Sequence, residues 1–319
     1  MNKAVIFSEN SDYSTSVIMK WMFFLGKDVV RINRDDSKLS VERMNNDEIL
    51  LNTSFGNVNI CKTDICWFRR AGSFSIVFLK PDERNSNIRS FEIQEQKSIH
   101  ESIIYWVMNN CKYIANPFTS DVSKIDVLLK VQSVGINCPE WIITDNKRNL
   151  IKFAEIHKTL VIKTFNTLNY TEGNTSFKNL TKLLTKREIN TMPDKFEPLF
   201  FQKYIEKKYE LRAFFFEDKF FTMAIISQND DKTAVDFRNY NNEKPNRRIP
   251  FQLPYEYETK LKLLSQSLSL DTGSFDILVD KNDNYYFLEV NPVGQFGMTS
   301  IPCNYNIEKF IAETLIDKL

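Results

Sequence analysis

One segment constrains this chain more than any other. It runs Gly273-Ser274-Phe275-Asp276-Ile277-Leu278-Val279-Asp280, then Lys281-Asn282-Asp283-Asn284, then Tyr285-Tyr286-Phe287-Leu288-Glu289-Val290-Asn291-Pro292. Two apolar, aromatic runs around a polar turn predict a β-hairpin. Side chains alternate along a strand, so Glu289 and Asn291 share a face. A register that pairs Asp280 with Tyr285 also pairs Leu278 with Phe287 and Asp276 with Glu289. Two carboxylates then stand directly opposite, with Asn291 on their face. Like charges in that position destabilise a hairpin. A hard cation removes the penalty, and Mg²⁺ takes carboxylate and amide oxygens together with phosphate oxygens. The segment therefore reads as a metal–nucleotide platform.

If a nucleotide binds, it does so without the usual glycine loops. The chain has only eight glycines in 319 residues, far below the usual ~7%. It contains neither G-x-G-x-x-G nor G-x-x-x-x-G-K-[ST], which excludes a dinucleotide fingerprint and a P-loop. Three of the eight, Gly273, Gly294 and Gly297, flank the carboxylate hairpin.

Charge narrows the partners. Lys plus Arg (42) nearly balances Asp plus Glu (41), which argues against a general binder of nucleic acid or membrane surface. No apolar run approaches the ~20 residues of a membrane span. The opening residues turn polar too soon for a signal peptide and read as a buried strand. Five scattered cysteines read as reduced thiols of a cytoplasmic protein. With only His100 and His157 present, a histidine-based metal site or triad is not expected.

The length suggests about two domains of ~100–200 residues. Residues 3–8, 15–25 and 28–33 read as β-α-β, followed by strands near 48–53, 56–60 and 65–68. Residues 91–108 read as an amphipathic helix with Phe91, Ile99, Ile103, Ile104 and Val107 inward. Asn116-Pro117 breaks the chain and marks a boundary. A helix over 121–134, a strand over 140–144 and the short apolar strand 160–163 follow. Residues 164–178 are polar and read as a mobile loop. Strands are expected at 199–205, 209–216 and 220–227, a polar loop at 229–246, and helices at 257–269 and 306–318.

Taken singly, the remaining polar residues say little. Lys163 at a strand end fits a snorkelling lysine. Lys124 sits in a first helical turn. Glu210 and Arg212 share a strand face and alone fit a surface ion pair. Arg238, in Asp236-Phe237-Arg238, fits a bidentate anion clamp or a solvated loop charge. Their order carries more: two lysines about 40 residues apart, Gln202-Lys203-Tyr204-Ile205, Glu210-Leu211-Arg212, Asp236-Phe237-Arg238, then Asp276 and Glu289-Val290-Asn291.

That order resembles the ATP-grasp superfamily. The closer likeness is to peptide-modifying ligases of the graspetide type, the microviridin and grasp-with-SPASM or chryseoviridin-like branches. It covers essentially the whole chain, including Arg31-Ile32-Asn33, Trp67-Phe68-Arg69-Arg70, Ser123-Lys124-Ile125-Asp126, Val161-Ile162-Lys163-Thr164 and, most specifically, Phe287-Leu288-Glu289-Val290-Asn291-Pro292-Val293-Gly294-Gln295-Phe296. The resemblance implies an α+β ATP-grasp fold. It implies an N-terminal α/β pre-ATP-grasp domain (1–115), a central lid subdomain (116–195) and a C-terminal antiparallel-sheet ATP-grasp domain (196–319).

It further implies ATP and Mg²⁺. Lys124 and Lys163 would contact the α- and β-phosphates. Gln202, Lys203 and Ile205 would line the adenine hinge, with backbone groups used at 203 and 205. Glu210 would hold the ribose, and Arg212 the γ-phosphate. Asp276, Glu289 and Asn291 would bind the metal, and Arg238 would orient the activated carboxylate. The hinge position held by Lys203 is often acidic in the family, so its side chain is not expected to act. The implied reaction closes rings in a ribosomal precursor peptide: a Glu or Asp side chain becomes an acyl phosphate and is attacked by Thr or Ser (ester) or Lys (amide). A homodimer is implied as well. Two other readings remain: a RimK-type ligase adding a free amino acid, which shares the whole ATP site, and a non-catalytic binding protein on a decayed scaffold.

Overall fold

The computed structural model describes residues 2–70, 86–119, 122–165, 169–172, 175–178, 181–228 and 243–319. Its first part comprises β1 (Ala4–Ser8), α1 (Tyr13–Phe24), β2 (Val29–Asn33), β3 (Ser40–Met44), β4 (Glu48–Thr53), β5 (Gly56–Cys61), β6 (Ile65–Phe68), α2 (Ser86–Asn110) and β7 (Lys112–Ile114). Strands β2-β1-β6-β7 form a parallel sheet. β1 is buried along its whole length, as expected for a parallel strand covered on both faces. One face packs Phe7, Ile32 and Phe68 against Ile103, Ile104 and Val107 of α2 and against the antiparallel sheet β3-β4-β5. The other packs Ile6 and Trp67 against Ile18 and Met22 of α1. Phe91 and Ile99 do not join this core; both are exposed. At 25 residues α2 is roughly 37 Å long, about twice the span of a five-residue strand, and its buried apolar residues all lie in its second half.

The middle part has a 3₁₀ turn at Pro117–Thr119, α3 (Lys124–Ser133), β8 (Trp141–Asn146), α4 (Lys147–His157), β9 (Leu160–Lys163), β10 (Asn169–Glu172), β11 (Thr175–Lys178), β12 (Lys182–Leu184), α5 (Lys186–Thr191) and β13 (Lys195–Lys203). Strands β12-β9-β13-β8 form an antiparallel sheet over a small core of Leu150, Leu160, Ile189 and Phe201. Asn146 caps α4, its Oδ1 accepting from Arg148 N at 2.9 Å. Thr185 and Glu188 form a capping box on α5, satisfying donors a helix start leaves open. Residues 164–178 differ from expectation. They carry the antiparallel hairpin β10–β11, with Asn169 opposite Lys178 and Glu172 opposite Thr175. Thr and Tyr favour strands, a preference that the polar composition hid. The sheet runs to Lys203, so the expected division at 195/196 falls inside β13.

The last part holds β14 (Lys207–Phe216), β15 (Lys219–Ile226), β16 (Arg247–Phe251), α6 (Tyr255–Ser267), β17 (Thr272–Asp280), β18 (Tyr285–Asn291), α7 (Gly297–Cys303) and α8 (Ile307–Asp317). The sheet order is β16-β15-β14-β17-β18, antiparallel throughout. One face buries Leu211, Phe215, Phe275, Ile277 and Phe287 against Val127, Leu128 and Val131 of α3 and Leu261 and Leu264 of α6. Phe215 and Phe275 stack at 4.8 Å. The opposite face is divided. Phe214 and Phe216 pack with Phe296, Trp67 and Ile307, Ile311 and Leu315 of α8, joining this sheet to the parallel one. Further along the same face stand Glu210 and Arg212. Among the described residues, no helix is long and apolar enough to cross a membrane.

Candidate active site

The carboxylate hairpin forms, and Asp276 pairs with Glu289. Arg212 pairs with Asp276 on the other side, so Arg212, Asp276 and Glu289 stand in one row across three strands. One detail of the register differs. Leu278 lies opposite Tyr286, Ile277 opposite Phe287, and Val279 opposite Tyr285. The turn takes in Asp280, whose Oδ1 accepts from Asn282 N (2.8 Å) and Asn284 N (2.9 Å). Those hydrogen bonds favour the turn over one more ladder pair. An irregularity between Asp276 and Ile277 leaves Leu288 as an extra residue and restores the pairing of the two carboxylates. Both departures are single-residue shifts, and they cancel at the site.

Cations surround this row. Arg212 Nη1 donates to Asp276 Oδ1 at 2.9 Å and Oδ2 at 3.1 Å. Lys124, the first residue of α3, lies 3.8 Å from Glu289 Oε2 and donates to Thr164 O at 2.9 Å. Thr164 follows Lys163 at the end of β9. Lys124 thus brings Glu289 and the end of β9, distant in sequence, to one place. Asn291 ends β18 opposite Ser274. Its Oδ1 accepts from Val293 N at 3.1 Å and its carbonyl from Gly294 N at 3.1 Å. This tight turn needs φ +62° at Gly294, where a Cβ would also meet Phe214 at 2.9 Å; glycine is the residue that tolerates both.

The donor set fits a hard cation: two carboxylates and an amide on one face. Among the described residues, Arg212 Nε and Ser274 Oγ are buried on that face without hydrogen-bond partners. Buried polar atoms are nearly always satisfied, so these two mark a surface built to meet a polar ligand. Among the described residues no three His, Cys, Asp or Glu side chains cluster as a metal site; the third oxygen donor here is the amide of Asn291.

The hinge residues lie on β13 and just beyond it. Gln202 is buried, and its Oε1 has no hydrogen-bond partner among the described residues. Lys203 N donates to Glu140 O at 2.8 Å, and its ammonium sits 3.3 Å from the Glu140 carboxylate. The backbone N–H at 203 is thus already used. Ile205 is buried. Glu210 is buried on the Arg212 face and ion-paired with Lys207, which is equally buried. Lys207 escaped the sequence reading. Residues three apart on a regular strand face opposite ways, but a shift between Lys207 and Tyr209 turns Lys207 toward Glu210. Arg238 lies outside the described residues.

Comparison with known proteins bears on the fold that carries these residues. No family model and no curated protein matches the chain. Solved structures do. A RiPP-associated ATP-grasp ligase from Chryseobacterium gregarium, in complex with ADP and a leader and core peptide, superposes with a TM-score of 0.83 at 24% identity, covering 100% of this chain and 98% of that one. The macrocyclase MdnC from Microcystis aeruginosa, bound with its precursor peptide, gives 0.80 at 24%, covering 99% and 100%. This chain has the ATP-grasp fold. The ATP-grasp ligase PsnB, complexed with a minimal precursor variant, Mg and ADP, gives 0.75 at 14% identity over 100% and 99% of the two chains. On this fold the Arg212–Asp276–Glu289 row stands on the same sheet face as Phe214 and Phe216, beyond the part packed against α8.

Proposed function

We propose that this protein is an ADP-forming ATP-grasp ligase that closes rings in a ribosomally made precursor peptide. The observation that carries the reading is the charged row Arg212–Asp276–Glu289, completed by Lys124 and Asn291, on a fold that matches peptide ligases along its full length. Asp276, Glu289 and Asn291 would hold Mg²⁺, which would supply charge neutralisation at the transferring phosphoryl group. Lys124 and Lys163 balance the α- and β-phosphates, and Arg212 the γ-phosphate. Gln202 and Ile205 line the adenine end with the carbonyl of Lys203, and Glu210, braced by Lys207, takes the ribose.

The chemistry follows from charge. A carboxylate is repelled by a polyanion until positive groups offset the phosphates. A Glu or Asp side chain of the peptide, oriented by Arg238, attacks the γ-phosphorus, and ADP leaves. The acyl phosphate is then attacked by a Thr or Ser hydroxyl, giving an ester, or by a Lys amine, giving an amide; phosphate leaves. Water competes for that intermediate, so the peptide must fill the site. The five unpaired cysteines support a cytoplasmic setting. A homodimer is the expected assembly, checked by light scattering after size exclusion.

The test is mass spectrometry. The protein is incubated with ATP, Mg²⁺ and a short Thr/Glu-rich precursor peptide carrying a leader segment. Loss of one water's mass per bond is the expected result; an unchanged mass refutes ring closure. A gain equal to an amino-acid residue would identify the RimK-type reaction instead.

A further inference from the structure

Two segments, Trp67-Phe68-Arg69-Arg70 and Arg31-Ile32-Asn33, have no part in the chemistry above. They end two of the four strands of the parallel sheet. In open parallel sheets ligands bind beyond the carboxyl ends of the strands, where the strand order reverses. The order β2-β1-β6-β7 reverses at β1: β2 lies to one side, β6 and β7 to the other. Just past those strand ends come Glu9, Arg34, Arg69-Arg70 and Asn116. A cleft opens there, walled on the sheet side by Arg34, Arg70 and Asn116 and on the other by Pro292 and Val293. Those last two follow Asn291, so the cleft adjoins the carboxylate hairpin.

The cleft's charges are unequal. Arg69 is structural: it is 4% exposed, its Nη1 donates to Val293 O, and its guanidinium lies 5.0 Å from the Phe296 ring. Burial pushes its pKa down to about 10, against the pull of Asp12. Arg34 and Arg70 are different. Their side chains are 38% and 27% exposed, and they share one carboxylate. Glu9 accepts from Arg34 Nη2 at 2.5 Å and Nε at 3.2 Å, and from Arg70 Nη1 at 3.1 Å. Asp12 lies 3.4 Å from Arg69 Nε and 3.6 Å from Arg70 Nε, and already accepts from the Ser8 and Thr15 hydroxyls. Arg70 Nε is buried without a hydrogen-bond partner among the described residues. Neither Glu9 nor Asp12 lines the cleft. Its one acidic wall residue, Asp271, accepts from Ala115 N at 3.1 Å, and burial raises its pKa. Three arginines thus face the opening, with their carboxylates behind them.

We propose that this cleft seats an acidic side chain of the substrate peptide, held by Arg34 and Arg70, and that Glu9 is the internal carboxylate it displaces. The proposal rests on the ligase reading, which supplies an acidic peptide beside Asn291. Exchange of one carboxylate for another keeps both guanidiniums paired, avoiding the cost of an unpaired buried charge. A neutral amide cannot make that exchange, so the cleft selects Glu or Asp over Gln or Asn.

The test uses the full chain and fluorescein-labelled hexaglutamate and hexaglutamine peptides, followed by anisotropy at low salt. Arg34→Gln is expected to weaken hexaglutamate binding roughly tenfold, and the Arg34→Gln/Arg70→Gln pair roughly a hundredfold, in line with charge-assisted hydrogen bonds. Glu9→Gln is expected to tighten binding several-fold, an effect that disrupted folding would not produce. Fluorescent Mg·ADP binding should be unchanged in all three. The proposal is overturned if the wild type binds no hexaglutamate or binds both peptides equally, if the double variant binds like wild type, or if Glu9→Gln weakens binding. Should the double variant fail to fold, Arg34→Gln and Glu9→Gln decide. Failure of the wild type to bind Mg·ADP would instead strike the ligase reading, while hexaglutamate binding and its response to the three variants still decide whether the cleft takes acidic peptide.

Discussion

In the antiparallel sheet the clustered charges stand in mid-strand, while in the parallel sheet they stand beyond the strand ends. Arg212, Asp276 and Glu289 are cross-strand neighbours whose separation is set by pairing register. Arg34 is a neighbour of Arg69-Arg70 only because the parallel strands β2 and β6 end at a common edge. The pairing differs too. Each carboxylate of the row has a near cation of its own, Arg212 at Asp276 and Lys124 at Glu289, whereas Arg34 and Arg70 share Glu9. A row of both signs suits a ligand bringing both signs, a metal with phosphates. An edge where two arginines share one carboxylate suits an anion. The contrast teaches that sheet type decides whether a site is specified by register or by topology.

The sharpest way to break the comparison is in the row. Asp276→Asn should cut Mg²⁺-dependent ADP release by about 10²–10³-fold, as removal of a key electrostatic group does; a coupled ADP assay measures this. Retention of wild-type turnover would refute the metal assignment. Next comes the turn behind Asn291. Gly294→Ala must accept φ +62° and a contact of 2.9 Å with Phe214. A loss of about 1–3 kcal/mol is expected, read as a lower midpoint in urea.

The parallel-sheet side has its own sensitivity. His100 is buried against that sheet, and burial pushes its pKa down to about 3. The unfolded chain takes up that proton near pH 6.5. Stability is therefore full above pH 6.5 and falls as pH drops below it, by about 2 kcal/mol at pH 5. His100→Leu should flatten that slope in denaturant melts followed by tryptophan emission. An unaltered slope would assign the acid sensitivity to other groups. The smallest effect belongs to Lys203. Its ammonium pairs with Glu140 at the surface, so Lys203→Ala should change stability by less than about 1 kcal/mol and leave the KM for ATP nearly unchanged. A large rise in KM would return the side chain to the hinge.

Local signals were legible where one face of an element is buried. β1, β4, β6 and β14 follow from apolar runs or alternation, and α1 and α6 from helical spacing closed by turn residues. The polar strands β10 and β11 were not legible, because composition there opposes a strand and only pairing supplies one. α2 was placed, but its inward face was only partly readable. Phe91 and Ile99 continue the apolar period beyond the core that His100, Ile103, Ile104 and Val107 enter. Lys207 was hidden for a different reason. The shift at the start of β14 reverses its face, and a bulge leaves no periodic trace.

The sequence by itself determined the pairing of Asp276 with Glu289, the absence of glycine-based phosphate loops, and the order of lysines, arginines and acids that marks the ATP-grasp fold. These are local or ordinal properties, carried by alternation and spacing. The tertiary structure decided the rest. It brought Lys124 to Glu289 and Thr164 from different elements, spent the N–H of Lys203 on Glu140, and turned Lys207 to Glu210. It also gathered Arg34, Arg69 and Arg70 at one sheet edge beside Val293. Each of these depends on where separate segments end relative to one another, a relation set by packing and strand order rather than by any local run of residues.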